Sequence, residues 1–353
     1  MAIRQQLLVW GIIIGVLGTF IYLVSDILLP FIVAMIAAYF LDPAADKIES
    51  WGLSRTLSTA IIIIVFFVIM AIIGIALVPI LYDQLLSFIQ NFPKYMQVIN
   101  EKIIPSFTEF AQGIDPKAVE KIKDVENGIA ANLLQIISEF ALSAWNSGVA
   151  VINLLSLVFI TPVVTFYVLR DWDRMIKKLD KMLPKAYAPV IEKQMKKIDD
   201  TLAGYIRGQI NVCIILGIFY SVGLGIIGLN FALLIGMIAG ILSFIPYAGV
   251  AFGVLASLIV AYLQFGDITQ LFFVGILFVI AQTLEGAFLS PKLVGDKVGL
   301  HPVWLIFGLF CGGALFGFVG VLVAVPVTAI IGVLVKFTIE QYLASSLYKA
   351  AKK

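Results

Sequence analysis

The ionisable side chain best placed to do chemistry is Glu285, because it lies inside the apolar run from Gln270 to Leu289. A carboxylate at the centre of a membrane helix costs about 2.5–3.5 kcal/mol on insertion scales, and such residues handle substrates, ions or protons. Gln282 lies one helical turn earlier and could share a polar site with it. A simpler alternative stays open, in which Glu285 lies near the membrane surface and pairs with Lys292 or Lys297.

A second source of polar groups is an interrupted helix between Phe231 and Leu263. As one helix this segment would be about 50 Å long, whereas the hydrocarbon core of a bilayer measures about 30 Å. Pro246, Tyr247 and Gly249 lie near its centre, where a break would expose backbone carbonyls and amides that can bind ions or polar solutes. The alternative is a packing kink with a small-residue helix contact.

The segment 302–338 is again too long for one crossing, and it carries Gly317 and Gly320 at its centre. We predict that 231–263 and 302–338 are both re-entrant hairpins, with the span that carries Glu285 between them. Interrupted segments in corresponding halves are typical of a transporter's binding site. The predicted site is therefore the space between Pro246–Gly249, Gln282–Glu285 and Gly317–Gly320. Asn211, near the start of the fifth span, is either a further partner or an interface residue.

The chain shows no metalloprotease HExxH motif, no GxSxG nucleophile elbow and no glycine loop for nucleotides. We therefore expect neither an enzyme nor an ATP-driven pump. We expect no cofactor and no resident metal, with a proton or a sodium ion as the coupling ion. His301 is interpreted as a loop residue, and the two cysteines as small buried residues.

Composition indicates the class of protein. Of 353 residues, 61% are hydrophobic and only 13% are charged, which exceeds what a soluble fold can bury. We predict an all-α polytopic membrane protein with about eight membrane segments. The net charge of +2 gives no reason to expect a nucleic-acid partner.

The chain divides into five parts by hydropathy and charge. The third span, Leu57 to Ile80, is followed by a polar segment whose apolar residues recur at helical spacing. The second span is predicted to end at Asp42, because the residue before a proline disfavours helix geometry. The parts are 1–80 (spans 1–3), 81–146 (an amphipathic extracytoplasmic segment), 147–207 (span 4 and cytoplasmic interfacial helices), 208–340 (a transport domain) and 341–353 (a basic tail).

Charge bias indicates the orientation. The segment 170–207 carries ten basic residues against six acidic ones, and basic loops stay in the cytoplasm. Counting spans from this segment places both chain termini in the cytoplasm, and the basic tail agrees with that orientation.

Several stretches taken together resemble one family. They are FYVLRDWDRM, GYIRGQ, ILSFIPYAGV, LEGAFLSPKLVGDKVGLHP and AVPVTAI, which occur in this order. They resemble the AI-2E transporter family, the autoinducer-2 exporter-like or PerM-type permeases. The resemblance implies an eight-segment protein of the bacterial inner membrane, a homo-oligomer (a pentamer), and an elevator-like transport domain with two hairpins.

The resemblance also implies export of a small polar solute such as the furanosyl signal autoinducer-2, used in quorum sensing. Some family members are assigned Na⁺(Li⁺)/H⁺ antiport, which is the alternative function for this chain. A third hypothesis is a structural membrane scaffold, although a scaffold has little need of two interrupted helices.

Overall fold

The computed structural model describes residues 3–24, 27–98, 101, 148–294, 301–345 and 348, and within these ranges all regular structure is helical. Most of the predicted amphipathic segment 81–146 and most of the basic tail lie outside the described residues. The elements are α1 Ile3–Leu23, α2 Leu29–Glu49, α3 Arg55–Val98, α4 Gly148–Met182, α5 Ala188–Ile227, α6 Ala232–Leu242, α7 Ala248–Phe265, α8 Ile268–Leu284, a π-helical segment Glu285–Val294 and α9 Pro302–Ala344.

The helices confirm a polytopic membrane protein. Within the described ranges, six helical stretches are long and apolar enough to span a bilayer: Leu29–Glu49, Arg55–Tyr95, Ala188–Ile227, Ala248–Phe265, Ile268–Val294 and Pro302–Ala344. Gly11–Leu23 and Ala232–Leu242 are shorter apolar helices. Large apolar side chains cover the outer surface; Ile226, for example, is 82% exposed. Such a surface is compatible with lipid, which is as apolar as these side chains.

Helix α2 contradicts the predicted end of the second span at Asp42, because it continues through Pro43 to Glu49. A proline inside a helix removes one backbone hydrogen bond and leaves the carbonyl four residues earlier without its donor. Here that carbonyl belongs to Tyr39, and the guanidinium of Arg207 on α5 donates to it at 2.8 Å. A side chain distant in sequence therefore supplies the hydrogen bond that proline cannot make.

Helix α3 is one continuous helix of 44 residues, although it contains Pro79 and Pro93. At 1.5 Å per residue it is about 66 Å long, roughly twice the thickness of a hydrocarbon core. The residues after Ile80 therefore continue the helix of the third span as far as Val98, beyond what a single crossing of the membrane requires.

Helix α5 is the centre of the C-terminal half. Leu216, Tyr220 and Leu224 on this helix are completely buried, and they pack against α6, α7 and α8. Small residues bring α5 and α6 close together, since Gly217 faces Gly240. Such glycine contacts are the usual way in which membrane helices approach closely.

Both long apolar segments are interrupted where the sequence places proline or glycine. Helices α6 and α7 are separated by residues 243–247, and Tyr247 adopts a left-handed conformation with φ of +67°. Within α9, Gly317 has φ of +57° and ψ of −139°. The halves of α9 on either side of this bend lie against each other, because Gly312 contacts Gly320 and Gly308 contacts Thr328.

Candidate functional site

The break between α6 and α7 exposes two carbonyl groups, and side chains of α5 occupy both of them. The amide nitrogen Nε2 of Gln209 donates to the carbonyl of Ser243 at 2.6 Å, and the Tyr205 hydroxyl donates to that of Phe244 at 3.3 Å. Both side chains are buried. The sequence predicted free backbone groups at this break, but in this conformation these two carbonyls already accept hydrogen bonds.

The predicted residues at this break differ in their surroundings. Tyr247 is 63% exposed, and its positive φ is unusual for a bulky residue. Gly249 is buried with its Cα against Ser243 and the carbonyl of Ala239, so that no side chain fits there. Pro246 is half-buried and has no N–H to continue the helix.

A wide-open cavity of about 570 Å³ lies between this break and α9, and the lining side chains of Tyr247 and Phe310 are largely exposed. The loop between α6 and α7 forms one wall, and the two halves of α9 form the other. Apart from the hydroxyl of Tyr247, the side chains that line it are apolar. The lining residues are Ile245, Tyr247, Ile306, Leu309, Phe310, Gly313, Ala314 and Val321.

The bend in α9 brings the predicted glycines next to this cavity without lining it. Gly317 supplies the bend itself, since its conformation is essentially restricted to glycine. Gly320 is buried, and a side chain there would collide with the Gly312 carbonyl. These two glycines therefore allow the halves of α9 to fold together, while the neighbouring Gly313 and Val321 face the cavity.

Glu285 lies at the junction of α8 and the π-helical segment and is partly buried. It faces α5, because Gly208 contacts Leu293 and the Tyr220 ring stacks on Phe278 at 4.8 Å. The two segments therefore run antiparallel, which brings Cys213 opposite Glu285. Segments of π-helix are rare and are frequent at functional sites.

Two buried hydroxyls of α5 have unsatisfied hydrogen-bonding capacity, and one of them, that of Tyr220, is on the helix that Glu285 faces, whereas Ser221 lies against Gly236 of α6. The buried hydroxyls of Tyr220 and Ser221 have no hydrogen-bond partner within the described ranges. No ion pair joins Glu285 to Lys292 in this part of the chain, while Lys297, the other predicted partner, lies outside the described residues. The simple pairing with Lys292 is therefore not what the structure contains.

The remaining predicted residues lie away from the cavity. Gln282 is exposed on α8. Asn211 is also exposed, and its amide donates to the Arg207 carbonyl of its own helix at 2.9 Å. The structure thus brings the loop between α6 and α7 together with α9, and it places Gln282, Glu285 and Asn211 outside that cavity's lining. His301 caps the N-terminus of α9, since its Nδ1 accepts from the Val303 amide at 3.3 Å.

Sequence reasoning missed an ionic cluster that joins α2, α3 and α5. The Arg55 guanidinium donates to Asp42 at 2.9 Å and to Glu49 at 3.1 Å, and it also pairs with Asp46. Asp42 in turn accepts from Arg207 at 3.2 Å. The carboxylates at positions 42, 46 and 49 share one face of a helix, which was the signal available in the sequence.

The GYIRGQ stretch of α5 contacts three neighbouring elements within two turns. Tyr205 and Gln209 bind the break after α6, and Arg207 binds α2. Between them, Gly208 allows the π-helical segment to approach, since a Cβ at Gly208 would lie 2.8 Å from the carbonyl carbon of Leu293 and 2.9 Å from the Cα of Val294. The motif is therefore a junction between the cavity wall, α2 and the segment that begins with Glu285.

No group of three or more His, Cys, Asp or Glu side chains able to hold a metal ion occurs in the described ranges. The arrangement consists instead of a cavity between two interrupted helices and a separate, partly buried carboxylate.

Comparison with known proteins gives consistent results. The family model described as "AI-2E family transporter" matches residues 9–340. The chain is 30% identical to "Putative transport protein YrrI" of Bacillus subtilis, over 88% of this chain and 86% of that protein. It is 25% identical to "Putative permease PerM" of Escherichia coli K12, over 88% and 87%. It is also 25% identical to the "Sodium-lithium/proton antiporter" of Halobacillus andaensis, over 89% and 90%.

Proposed function

Because the chain belongs to the AI-2E transporter family, we propose that it is a secondary transporter that exports a small organic solute across the bacterial inner membrane. The observation that carries this proposal is the cavity between the loop after α6 and the bend of α9. Its volume of about 570 Å³ lies within the range of about 300–1,000 Å³ typical of small-molecule sites. Interrupted helices that flank one cavity are a recurrent feature of secondary transporters.

In this proposal α6–α7 and the two halves of α9 are re-entrant hairpins that enter the membrane from opposite sides. Backbone at a helix break is tolerated in a membrane only where it is buried or lines a cavity. Consistent with this requirement, the carbonyls of Ser243 and Phe244 are bound by α5. The predicted transport domain, residues 208–340, would move with the solute in an elevator-like step, and the helices before it would remain fixed within a homo-oligomer. Both chain termini lie in the cytoplasm.

The first solute to test is autoinducer-2, the small furanosyl molecule that the family resemblance suggests. Purified protein in proteoliposomes should accumulate labelled autoinducer-2, and a variant that fills the close contact at Gly249, Gly249→Val, should not. The matched control is Gly275→Ala, because Gly275 lies on α8 with open space around it. Flux by wild-type protein equal to that of empty liposomes, for every organic solute tried, would contradict the proposal.

A second candidate function is Na⁺(Li⁺)/H⁺ antiport, and two observations favour it. Glu285 is a partly buried carboxylate that faces the helix carrying Tyr220, whose buried hydroxyl has no partner within the described ranges, and the Halobacillus relative is named as an antiporter. If Glu285 carries the proton, Glu285→Gln should abolish sodium-driven proton flux completely, because an amide does not titrate. Solute export without proton coupling should survive the same change.

The control for this experiment is Asp267→Asn. Asp267 caps α8 by accepting from the Thr269 amide at 3.1 Å, and asparagine can make the same cap. Equal proton flux in Glu285→Gln and Asp267→Asn would exclude Glu285 as the coupling residue.

The scaffold hypothesis makes a different prediction, namely that Gly249→Val leaves function intact as long as the protein folds.

A further inference from the structure

We propose that Gln209 and Tyr205 are positioning residues that hold the break between α6 and α7 in the geometry that forms one wall of the cavity. This inference rests on the proposed transport function, and it assigns a role to two residues outside the predicted site. The two side chains lie four positions apart on α5, so they project from the same face of the helix. They reach consecutive carbonyls, those of Ser243 and Phe244.

The need for these donors follows from the break itself. In an uninterrupted helix the carbonyls of Ser243 and Phe244 would accept from the amides four residues later. Tyr247 is left-handed and the next helix begins at Ala248, so those bonds are not made. A buried carbonyl without a donor costs about as much as a lost hydrogen bond, and in lipid no water can replace the donor. Gln209 and Tyr205 supply the donors from α5.

The same contacts connect the break to the cavity. Ile245 and Tyr247, which line the cavity, directly follow the two bound carbonyls. The Tyr205 ring also packs edge-on against the Phe244 ring, with 6.1 Å between their centroids. Moving Ser243 and Phe244 away from α5 would therefore move the wall that Ile245 and Tyr247 form.

The remainder of the motif fixes α5 on its other sides. Arg207 is bound to α2 through the Tyr39 carbonyl and Asp42. Gly208 is in backbone contact with Leu293, as described above. In this conformation the donors on Gln209 and Tyr205 are therefore presented from a helix segment whose position is defined by its contacts with α2 and with the π-helical segment. This is the structural basis for a positioning role rather than for direct contact with solute.

The first test measures the accessibility of the cavity wall without needing to know the solute. In a background with Cys213→Ser and Cys311→Ser, Ile245→Cys reports on the cavity wall formed by the loop between α6 and α7. Ile306→Cys reports on the opposite wall, formed by α9. Gln209→Met keeps the length of the side chain and removes its donor. Labelling of Ile245→Cys by a maleimide should then become faster, by about tenfold for the loss of one buried hydrogen bond.

Labelling of Ile306→Cys should remain at its original rate in the same background. Tyr205→Phe removes the longer hydrogen bond and keeps the ring, so its effect should have the same direction and be smaller. It also serves as the test if Gln209→Met fails to fold. The control Thr201→Val removes a hydroxyl of α5 that donates to the Lys197 carbonyl of the same helix, and it should change neither rate. Unchanged labelling of Ile245→Cys in folded Gln209→Met or Tyr205→Phe protein would overturn the inference.

The second test uses uptake of labelled autoinducer-2 into proteoliposomes. A displaced cavity wall should raise the apparent KM in Gln209→Met by about tenfold, with a smaller change in the maximal rate per folded protein. A merely structural role would lower the amount of folded protein and leave KM unchanged. If wild-type protein transports nothing but the labelling changes as expected, the proposed function fails and the positioning role stands.

Discussion

Replacing Gly208 with alanine tests whether α5 and the π-helical segment approach each other as closely as the structure requires. The added Cβ would lie 2.8 Å from the Leu293 carbonyl carbon and 2.9 Å from the Val294 Cα. Carbon atoms in favourable contact are about 3.5–4.0 Å apart, so the two backbones must separate by about 1 Å. Because the obstructing atoms are backbone, no side-chain rotation can relieve the collision.

The magnitude follows from two opposing effects. Overpacking of this kind typically costs about 1–3 kcal/mol. Alanine recovers about 0.8–1.0 kcal/mol over glycine in a helix interior. We therefore expect Gly208→Ala to lower the free energy of unfolding by up to about 2 kcal/mol. Gly225→Ala is the matched control on the same helix, since no atom lies within 4 Å of its added Cβ, and we expect this control to be neutral or stabilising.

The assay is the apparent melting temperature of purified protein in detergent, followed by size-exclusion chromatography of heated samples. Gly208→Ala should melt below wild type, and Gly225→Ala at or above it. Their free energies of unfolding should differ by about 1–3 kcal/mol. If Gly208→Ala melts at the temperature of Gly225→Ala or higher, the backbone contact at Leu293 is wrong, and so is the position of the segment that begins with Glu285.

Three further changes test other parts of the structure. Asp42→Asn removes the charge shared by Arg55 and Arg207. Because Asp42 is partly exposed, we expect the free energy of unfolding to fall by about 1–2 kcal/mol, measured by melting in detergent. A melting temperature equal to that of wild type would show that the ionic cluster contributes nothing to stability. Gly317→Ala should lower the free energy of unfolding by about 1–3 kcal/mol through backbone strain alone, because the added Cβ would meet no atom. Stability equal to that of wild type would mean that α9 does not bend at this residue. Pro43→Ala should stabilise α2 only slightly, because Arg207 already donates to the Tyr39 carbonyl. If the free energy of unfolding rose by about 3 kcal/mol or more, which is the full cost of a proline inside a helix, Arg207 would not be compensating for the lost hydrogen bond.

The sequence alone was sufficient for the class of protein, the family and the positions of both helix interruptions. These properties are local or compositional. An apolar content of 61% is typical of a membrane protein and exceeds that of soluble folds. A proline or glycine at the centre of an overlong apolar segment also limits where the helix can break. The observed interruptions around Pro246 and at Gly317 lie where those residues predict them.

The sequence could not indicate which side chains donate hydrogen bonds to the carbonyls left free by proline or by a helix break, because these donors are remote along the chain. The carbonyls after α6 were expected to be free, and they are bound by Gln209 and Tyr205. Pro43 was expected to end α2, and the helix continues because Arg207 replaces the missing donor. In both places the local rule was correct about the hydrogen bond that is lost and gave no information on its replacement.

The candidate site shows the same division. Residue type was enough to select Tyr247 and Glu285, since a proline-containing break and a carboxylate in an apolar run are visible in the sequence. Only the packing of α5, α8 and α9 decided that Tyr247 lines the cavity, whereas Glu285 faces Cys213 on α5 and is not among the lining residues. Local chemistry determines what a residue is able to do, and the antiparallel register of the helices determines which residues it can act on.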